Sequence, residues 1–380
     1  MATASGLSKE YDRRGFDILL RLLLVGMVAS FGVILLYDWK VGTALFVVCC
    51  IYFITVEAIS SRPDNNPYSF LQWRQRNISS IRNNHSNSDV KNCPILLCLG
   101  DSLTHGNCSA SYTPEIPYQL SLKLGLPVPS ADQHYAATFT EPIFVVNGGQ
   151  NSITSHTVLH EKLIPYMNMI RPDYVLILIG TNDIQALCRP QLIGAAIRHI
   201  NRIPENPTLQ QFERNLRQMI HFFLNEDDDG NNISPHVQLG ICTLPPLGEN
   251  LQSYSNQMIR HANGIIERLV AEQQAAQCNR ITLIPLYHEL EKVILQKKWK
   301  FAIPYDIWWL IAIVMYPLYH IPHGTLFSWN TLSYLFGNHS VLSDGVHLNE
   351  NGRIVLVQLI VNVFLYKKNI TKAIAVKKFR

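Results

Sequence analysis

Continuous apolar runs that alternate with helical patterns constrain the fold of this chain more than any other feature. Each run is short, bounded by turn residues and apolar at successive positions, as in a strand buried on both faces. The stretches between the runs place apolar residues three and four positions apart, which predicts helices. We therefore predict a three-layer α/β/α sandwich with a central parallel sheet. The predicted strands cover residues 94–99, 144–146, 174–179 and 237–242, and the predicted helices cover residues 117–124, 156–168, 209–224 and 354–365.

Polar, glycine-containing segments follow the first three strands, at the carboxyl edge where parallel sheets bind ligands. They read Gly100-Asp101-Ser102-Leu103, Asn147-Gly148-Gly149 and Gly180-Thr181-Asn182-Asp183, and a fourth segment, residues 343–349, contains an Asp-x-x-His pair near the C-terminus. Each segment taken singly also fits an ordinary turn or a helix N-cap. Their combination in this order indicates a site for nucleophilic catalysis.

Ser102, His347 and Asp344 have the chemistry of a nucleophile, a base and an orienting carboxylate. A serine hydroxyl attacks only when a base takes its proton, and histidine titrates near neutral pH. Asp344, three residues before His347, can fix the imidazole tautomer and stabilise the imidazolium. The oxyanion of the tetrahedral intermediate also needs hydrogen-bond donors. The candidates are the backbone N–H of Ser102, one backbone N–H of residues 148–152 and the side-chain amide of Asn182.

Three other titratable residues lie in these segments. His105 is a second imidazole near Ser102, but its position three residues later favours a packing or substrate-pocket residue. Asp101 and Asp183 are interpreted as structural hydrogen-bonding residues. The eight cysteines show no metal-ligand spacing, and the chain contains neither a His-Glu-x-x-His motif nor a P-loop. We therefore predict no metal and no cofactor.

The segments resemble the motifs of the GDSL or SGNH hydrolases, esterases and lipases named for a Ser, a Gly, an Asn and a His in four blocks. The resemblance covers about residues 93–366, with Ser102 in the first block, Asn182 in the third, and Asp344 and His347 in the last. Residues 243–248 also resemble the family. The resemblance implies a flavodoxin-like sheet and ester hydrolysis through an acyl-enzyme.

The second block departs from the family pattern. Family members typically carry Asn-x-x-x-x-Gly, in which the glycine gives a backbone N–H to the oxyanion. Here Ser152 stands five positions after Asn147. A serine can supply the N–H if its backbone dihedrals permit, and Gly148 or Gly149 can take the role after a local shift. The oxyanion-hole candidates are therefore Ser102, Gly148, Gly149, Ser152 and Asn182.

Two apolar stretches near the N-terminus, residues 18–37 and 41–59, each approach the length of a membrane-spanning helix. We interpret them as a transmembrane helical hairpin with a tight turn at Asp38-Trp39-Lys40. A cleaved signal peptide and a hairpin buried in a soluble core are the alternatives. The first stretch is too long for a signal peptide and lacks a small-residue cleavage site, and a soluble core seldom needs two such stretches.

Basic residues flank the hairpin on both outer sides, which favours a catalytic domain on the cytosolic side of the membrane. The six Asn-x-Ser/Thr sequons point instead to a lumenal domain, so that alternative stays open. The basic tail, residues 367–380, ends in Lys377-Lys378-Phe379-Arg380, a pattern of endoplasmic-reticulum retrieval signals. We therefore expect an endomembrane location. The sequons begin at Asn77, Asn84, Asn107, Asn232, Asn338 and Asn369.

The chain is thus divided into an anchor, residues 1–60; a polar linker, residues 61–92; and a hydrolase domain, residues 93–366, followed by the basic tail. Residues 297–340 form an aromatic-rich insertion just before Asp344. Aromatic residues at this density suit a membrane-interface segment or an apolar lid, whereas a lid packed wholly within the protein is the alternative. Contact with lipid would make a lipid acyl ester the natural substrate.

The formal net charge is only +4, and no basic stripe is interleaved with aromatic residues, so we expect no nucleic-acid partner. The sequence as a whole predicts a membrane-anchored serine ester hydrolase acting on acyl esters of lipids. An acyltransferase and a carbohydrate O-acetyl esterase remain alternatives, because the acceptor is chosen by a pocket that sequence does not reveal. A catalytically inactive membrane scaffold is the non-enzyme alternative. The oligomeric state is left open.

Overall fold

Five parallel strands form the sheet at the centre of the fold. In a computed structural model, the residues described are 40–42, 65–72, 93–106, 111–126, 142–191, 193–224, 236–276, 278–297, 328–337 and 339–366. The strands are β1 (Ile95–Gly100), β2 (Phe144–Gly149), β3 (Tyr174–Leu178), β4 (Gln238–Cys242) and β5 (Ile281–Ile284). Their order across the sheet is β2-β1-β3-β4-β5, and every neighbouring pair is parallel. The α/β fold with a central parallel sheet is therefore confirmed, and β5 is a strand that the apolar runs did not predict.

Helices pack in two groups, and each group contacts the sheet. One group holds the helices that connect β2 through to β5, and the other holds the helix between β1 and β2 together with the helices near the C-terminus. The strands are buried between the two groups. The first group comprises Ser155–Thr157, Leu163–Ile170, Thr181–Cys188, Ile193–Asn201, Leu209–Leu224 and Tyr254–Ala275; the second comprises Glu115–Leu124, Leu286–Leu295, Trp329–Gly337 and Glu350–Leu359.

Two segments within the predicted helices are π-helical. Val158–Lys162 lies inside the helix predicted at residues 156–168, and Ile360–Leu365 forms the end of the helix predicted at residues 354–365. The predicted helix at residues 156–168 is therefore three consecutive pieces, whereas the helix Leu209–Leu224 has the predicted bounds. Ser102–His105 is a short helix directly after β1.

The strand order creates a switch point between β1 and β3. The chain leaves β1 toward β2 on one side and returns to β3 on the other, so the crossovers at this point run on opposite faces. Open α/β sheets bind ligands outside the carboxyl ends of such a pair. The end of β1 is packed tightly there, because a Cβ on Gly100 would lie 2.4 Å from the carbonyl oxygen of Leu178 at the end of β3. The fold thus brings the segments after β1 and β3 together.

Part of the predicted polar linker packs on this domain. Residues 67–72 are helical, the Phe70 side chain is 1% exposed, and its ring lies 5.0 Å from the ring of Phe144 in β2. The backbone N–H of Asn147 donates to the carbonyl oxygen of Asn65 at 2.8 Å. The prediction of a linker through residues 61–92 is therefore wrong for residues 65–72, where Pro67 and Phe70 are buried.

The chain divides into two compact units, residues 1–61 with 310–327 and residues 62–309 with 328–380, and the strands and helices bounded above belong to the second. The predicted spanning segment 18–37, most of segment 41–59, the six sequon asparagines, residues 298–327 of the insertion and the basic tail lie outside the described residues. Lys40 is helical, so the turn predicted at residues 38–40 is wrong at that residue. Within the described ranges, no helix combines the length and apolar character that crossing a bilayer requires.

Candidate active site

Ser102 is the first residue of the short helix that follows β1. Asp101 caps this helix, and its carboxylate accepts the backbone N–H of Leu103 at 3.0 Å. The sharp change from strand to helix leaves the Ser102 side chain partly exposed while Asp101 and Leu103 are buried. The turn therefore presents the hydroxyl at the carboxyl edge of the sheet.

His347 and Asp344 complete a hydrogen-bonded relay to this hydroxyl. The Nε2 atom of His347 lies 2.8 Å from the Ser102 Oγ, and its Nδ1 atom lies 2.7 Å from the Asp344 Oδ2. The other Asp344 oxygen, Oδ1, accepts the backbone N–H groups of Val346 at 3.0 Å and His347 at 2.8 Å. The structure thus brings together three residues that the sequence separates by up to 245 positions.

The electrostatics of the relay favour an ionised carboxylate and a basic imidazole. Burial by itself raises the pKa of Asp344, but the His347 charge and the N–H donors outweigh it, and the pKa lies below its ordinary value. Burial lowers the pKa of His347, but the charge and the hydrogen bond of Asp344, with a smaller contribution from the Asp101 charge, together outweigh burial, and the pKa is raised. A base with this character accepts a proton readily from a neighbouring hydroxyl.

The turn after β2 limits which backbone N–H can face an oxyanion. The Gly149 N–H already donates to the Asn147 Oδ1 at 3.0 Å. Gly148 pairs with Leu99 of β1 in the sheet. Ser152 has φ of 62°, in the left-handed region that favours glycine. Ser152 therefore adopts a backbone conformation that glycine adopts more easily, and unlike proline it keeps a backbone N–H in this turn.

Asn201, the last residue of the helix Ile193–Asn201, forms hydrogen bonds with this turn. Its role was not predicted from the sequence. Its side-chain Nδ2 donates to the carbonyl oxygen of Ser152 at 2.9 Å. Its Oδ1 accepts the Thr154 backbone N–H at 2.9 Å and the Thr157 hydroxyl at 2.6 Å. The residue is 4% exposed. No sequence motif marks it, because these three partners lie more than 40 positions away.

Asn182 follows β3 and links the third segment to the second. Gly180 before it has φ of 129°, a conformation that only glycine adopts easily, and this turn starts the helix Thr181–Cys188. The Asn182 Nδ2 donates one hydrogen to the carbonyl oxygen of Ile153 at 2.9 Å. The amide carries a second N–H, for which the described part of the chain offers no hydrogen-bonded acceptor.

The two buried aspartates have the structural contacts expected of them. Asp183 accepts the backbone N–H of Ser155 at 3.0 Å and its hydroxyl at 2.6 Å, and burial raises the pKa of Asp183 to about 6. Burial likewise raises the pKa of Asp101 to about 7, against the opposing effects of the Leu103 N–H and the His347 charge.

His105 stays a packing residue in this structure. It is 9% exposed, its backbone N–H donates to the Asp101 carbonyl oxygen at 2.9 Å, and the position beside the Ser102 hydroxyl is taken by His347. Within the described ranges, no group of three His, Cys, Asp or Glu residues is placed to hold a metal ion.

A GDSL-like Lipase/Acylhydrolase family model matches residues 98–298. Comparison with curated protein sequences gives no match. Among solved structures, the chain is similar to LAE5, an alpha/beta hydrolase enzyme from the metagenome of Lake Arreo, Spain. That similarity has 11% identity, covers 70% of this chain and 93% of LAE5, and has a TM-score of 0.44. The chain is also similar to Axe2, an acetylxylan esterase from Geobacillus stearothermophilus, with 14% identity, 73% and 94% coverage, and a TM-score of 0.42.

The family match begins inside β1, includes Ser102, Ser152 and Asn182, and ends before the segment that carries Asp344 and His347. It spans more than half of the 380 residues. The chain therefore belongs to the GDSL-like lipase/acylhydrolase family and is a carboxylic ester hydrolase.

Proposed function

We propose that this hydrolase is anchored in a membrane and cleaves acyl esters of lipids through a Ser102 acyl-enzyme. The observation that carries the catalytic part is the relay in which His347 Nε2 lies 2.8 Å from Ser102 Oγ and His347 Nδ1 lies 2.7 Å from Asp344 Oδ2. These distances fall in the range for direct proton transfer between a nucleophile and its base.

The reaction proceeds in two halves. The Ser102 Oγ attacks the ester carbonyl carbon while His347 Nε2 takes the hydroxyl proton, and Asp344 stabilises the imidazolium. The tetrahedral intermediate collapses, and the leaving alkoxide takes that proton from His347 and departs as the alcohol. Water then attacks the acyl-enzyme, gives its proton to His347 and releases the carboxylic acid and the free Ser102 hydroxyl. His347 ends each cycle neutral and ready to accept a proton.

We assign the oxyanion hole to the backbone N–H groups of Ser102 and Ser152 and to the second side-chain N–H of Asn182. Two observations support this choice over Gly148 and Gly149. The Gly149 N–H is committed to Asn147 and Gly148 lies in the sheet. Among the residues the structure describes, no acceptor is hydrogen-bonded to the backbone N–H of Ser102 or Ser152. Removing one such donor typically raises the barrier by about 3 kcal/mol.

The membrane part of the proposal is supported by the sequence. Residues 18–37 and 41–59 are two apolar stretches of spanning length, and the aromatic-rich residues 297–340 lie just before Asp344. A lipid ester would reach such a site from the bilayer in which the chain is held. The flanking basic residues and the dilysine-like end favour an endomembrane anchor with the domain on the cytosolic side.

A fluorophosphonate probe tests the catalytic assignment in native membranes. Wild type is expected to be labelled, Ser102→Ala to lose labelling completely, and Ser253→Ala, a helix-capping serine elsewhere, to label like wild type. Unlabelled wild type, or undiminished labelling of Ser102→Ala, would overturn the assignment.

Two further measurements test the substrate and the location. Lipid extracts of cells lacking the protein should accumulate an acyl ester that wild type removes and Ser102→Ala does not. Identical extracts would refute the lipid substrate. Glycosidase treatment of the mature full-length protein should leave its gel mobility unchanged. A mobility shift would place the sequons, and with them the domain, in the lumen.

A further inference from the structure

We infer that Glu249 is a positioning residue that holds the His347-bearing loop in register with Ser102. The inference rests on the proposed function, because it assigns Glu249 a role in the same reaction. Glu249 lies in the turn after β4, nearly one hundred positions before His347, and its side chain is completely buried.

The Glu249 carboxylate accepts hydrogen bonds from backbone N–H groups at the start of the loop. Its Oε1 accepts the N–H groups of Ser340 at 2.6 Å, Val341 at 2.8 Å and Leu342 at 3.3 Å. Three successive N–H groups directed at one oxygen form a concave anion-binding arrangement. The carboxylate therefore fixes the loop two residues before Asp344.

The neighbouring residue holds the same loop at its middle. The Gly248 N–H donates to the carbonyl oxygen of Gly345, between Asp344 and His347, at 2.7 Å. The adjacent residues 248 and 249 thus contact the loop on both sides of Asp344.

The turn that carries Glu249 is itself fixed to a long helix. Asn256, fully buried in the helix Tyr254–Ala275, accepts the Leu247 N–H at 2.9 Å. Its Nδ2 lies 3.0 Å from the carbonyl oxygens of Leu247 and Gly248 and 2.9 Å from that of Asn250. The helix therefore fixes the position of the turn that carries Glu249, and Glu249 in turn fixes the position of the loop.

Regular secondary structure does little to hold the loop. Within the described residues, residues 339–349 contain one isolated bridge, between Leu342 and Leu348, and no strand or helix. The place of His347 therefore depends on a few backbone hydrogen bonds and on side-chain contacts such as those of Glu249. A displacement of about 1 Å at a reacting group lowers a rate about 100-fold, so this support acts on catalysis as well as on folding.

Lys297 neutralises the buried carboxylate. Its Nζ lies 2.9 Å from the Glu249 Oε2, and its side chain is only 11% exposed. Loss of one member of such a pair leaves an unpaired buried charge, which destabilises the protein for reasons unrelated to the loop. A test of Glu249 must therefore also remove the Lys297 charge.

The experiment compares two double variants of the full-length protein, Glu249→Gln/Lys297→Met and Glu249→Leu/Lys297→Met. Both lack the buried charges, but only glutamine keeps an oxygen that can accept the three N–H groups. We expect the leucine variant to have a kcat for p-nitrophenyl acetate about tenfold or more below that of the glutamine variant, per folded molecule, with KM within about twofold. Glu289→Leu, which removes a half-buried partner of Lys292, is the matched control and should keep the wild-type kcat.

Equal kcat values for the two double variants would overturn the inference, because the acceptor oxygen would then have no catalytic role. If the leucine variant does not fold, Glu249→Asp keeps the charge but is one methylene shorter. Its kcat should fall about threefold or more with KM unchanged, and a wild-type kcat would equally overturn the inference. Ser102→Ala separates the two proposals, since activity retained in that variant contradicts the proposed function itself.

Discussion

Ser152→Gly is expected to stabilise the protein and leave its activity intact. The φ of 62° at Ser152 costs a residue with a side chain about 1–2 kcal/mol. Glycine avoids this strain but loses about 0.5–1 kcal/mol through the greater freedom of the unfolded chain. The net gain is about 0.5–1 kcal/mol, which corresponds to a rise in Tm of about 1–4 °C for a domain of this size. Because the proposed donor is a backbone N–H, kcat should stay within about twofold of wild type.

The assay measures Tm by thermal unfolding and kcat with a soluble ester. Arg171 is a matched control, because it also has a positive φ, 52°, but ends the helix Leu163–Ile170. Arg171→Gly should raise Tm similarly with no change in kcat. Ser152→Val, which is β-branched and resists the left-handed region, should lose stability and about 100-fold in kcat. A tenfold loss of kcat in Ser152→Gly would refute the reasoning, since the serine side chain would then be the active group.

Three other variants test the charges and the supports of the site. In Asp344→Asn, kcat should fall about 10⁴-fold. Wild-type activity should be lost as pH falls through the raised pKa of His347, and in the variant this loss should occur at lower pH, because the Asp344 charge no longer raises that pKa. An unchanged pH profile would contradict the electrostatic effect of Asp344 on His347. Burial raises the Asp101 pKa from 3.8 to about 7, so the wild-type free energy of unfolding falls as pH rises through that interval. Asp101→Asn lacks this titration and should gain stability relative to wild type between about pH 4 and 7, by at most about 4 kcal/mol. Urea-unfolding free energies that change with pH in parallel for the two proteins would refute this. Asn201→Ala should lower kcat about tenfold with KM unchanged, because the Ser152 turn loses the hydrogen bonds that fix it. Steady-state kinetics in which only KM changes would contradict this role of Asn201.

Local sequence patterns predicted the strands and helices whose residues are buried in a regular pattern. Each of the first four strands is buried over most of its length, and the helix Leu209–Leu224 places its buried residues on one face, so both periodicities are visible in the sequence. The strand Ile281–Ile284 has only four residues, and its two middle residues are half-buried. A run that short carries too little periodicity to be distinguished from a loop.

The sequence predicted the residues of the hydrogen-bonded relay, Ser102, His347 and Asp344, but it did not predict the residues that contact the loops around them. Ser102 and His347 lie in segments whose composition is unusual in itself. Glu249 and Asn201 each make several hydrogen bonds, and most of their partners are backbone groups that lie tens of positions away. Such contacts depend on the folded path of the chain, and any Glu or Asn in a turn or at a helix end looks the same in the sequence.

The packing of residues 65–72 determines where the smallest stable version of this enzyme can begin. A chain that starts at Cys93 would leave the ring of Phe144 without Phe70 and the N–H of Asn147 without the Asn65 carbonyl. Asn147 accepts the N–H of Gly149, which packs against the helix Ser102–His105, so that loss would act close to Ser102. A truncated enzyme should therefore retain Asn65 and the residues that follow it, although Asn65 precedes the family match by 33 positions.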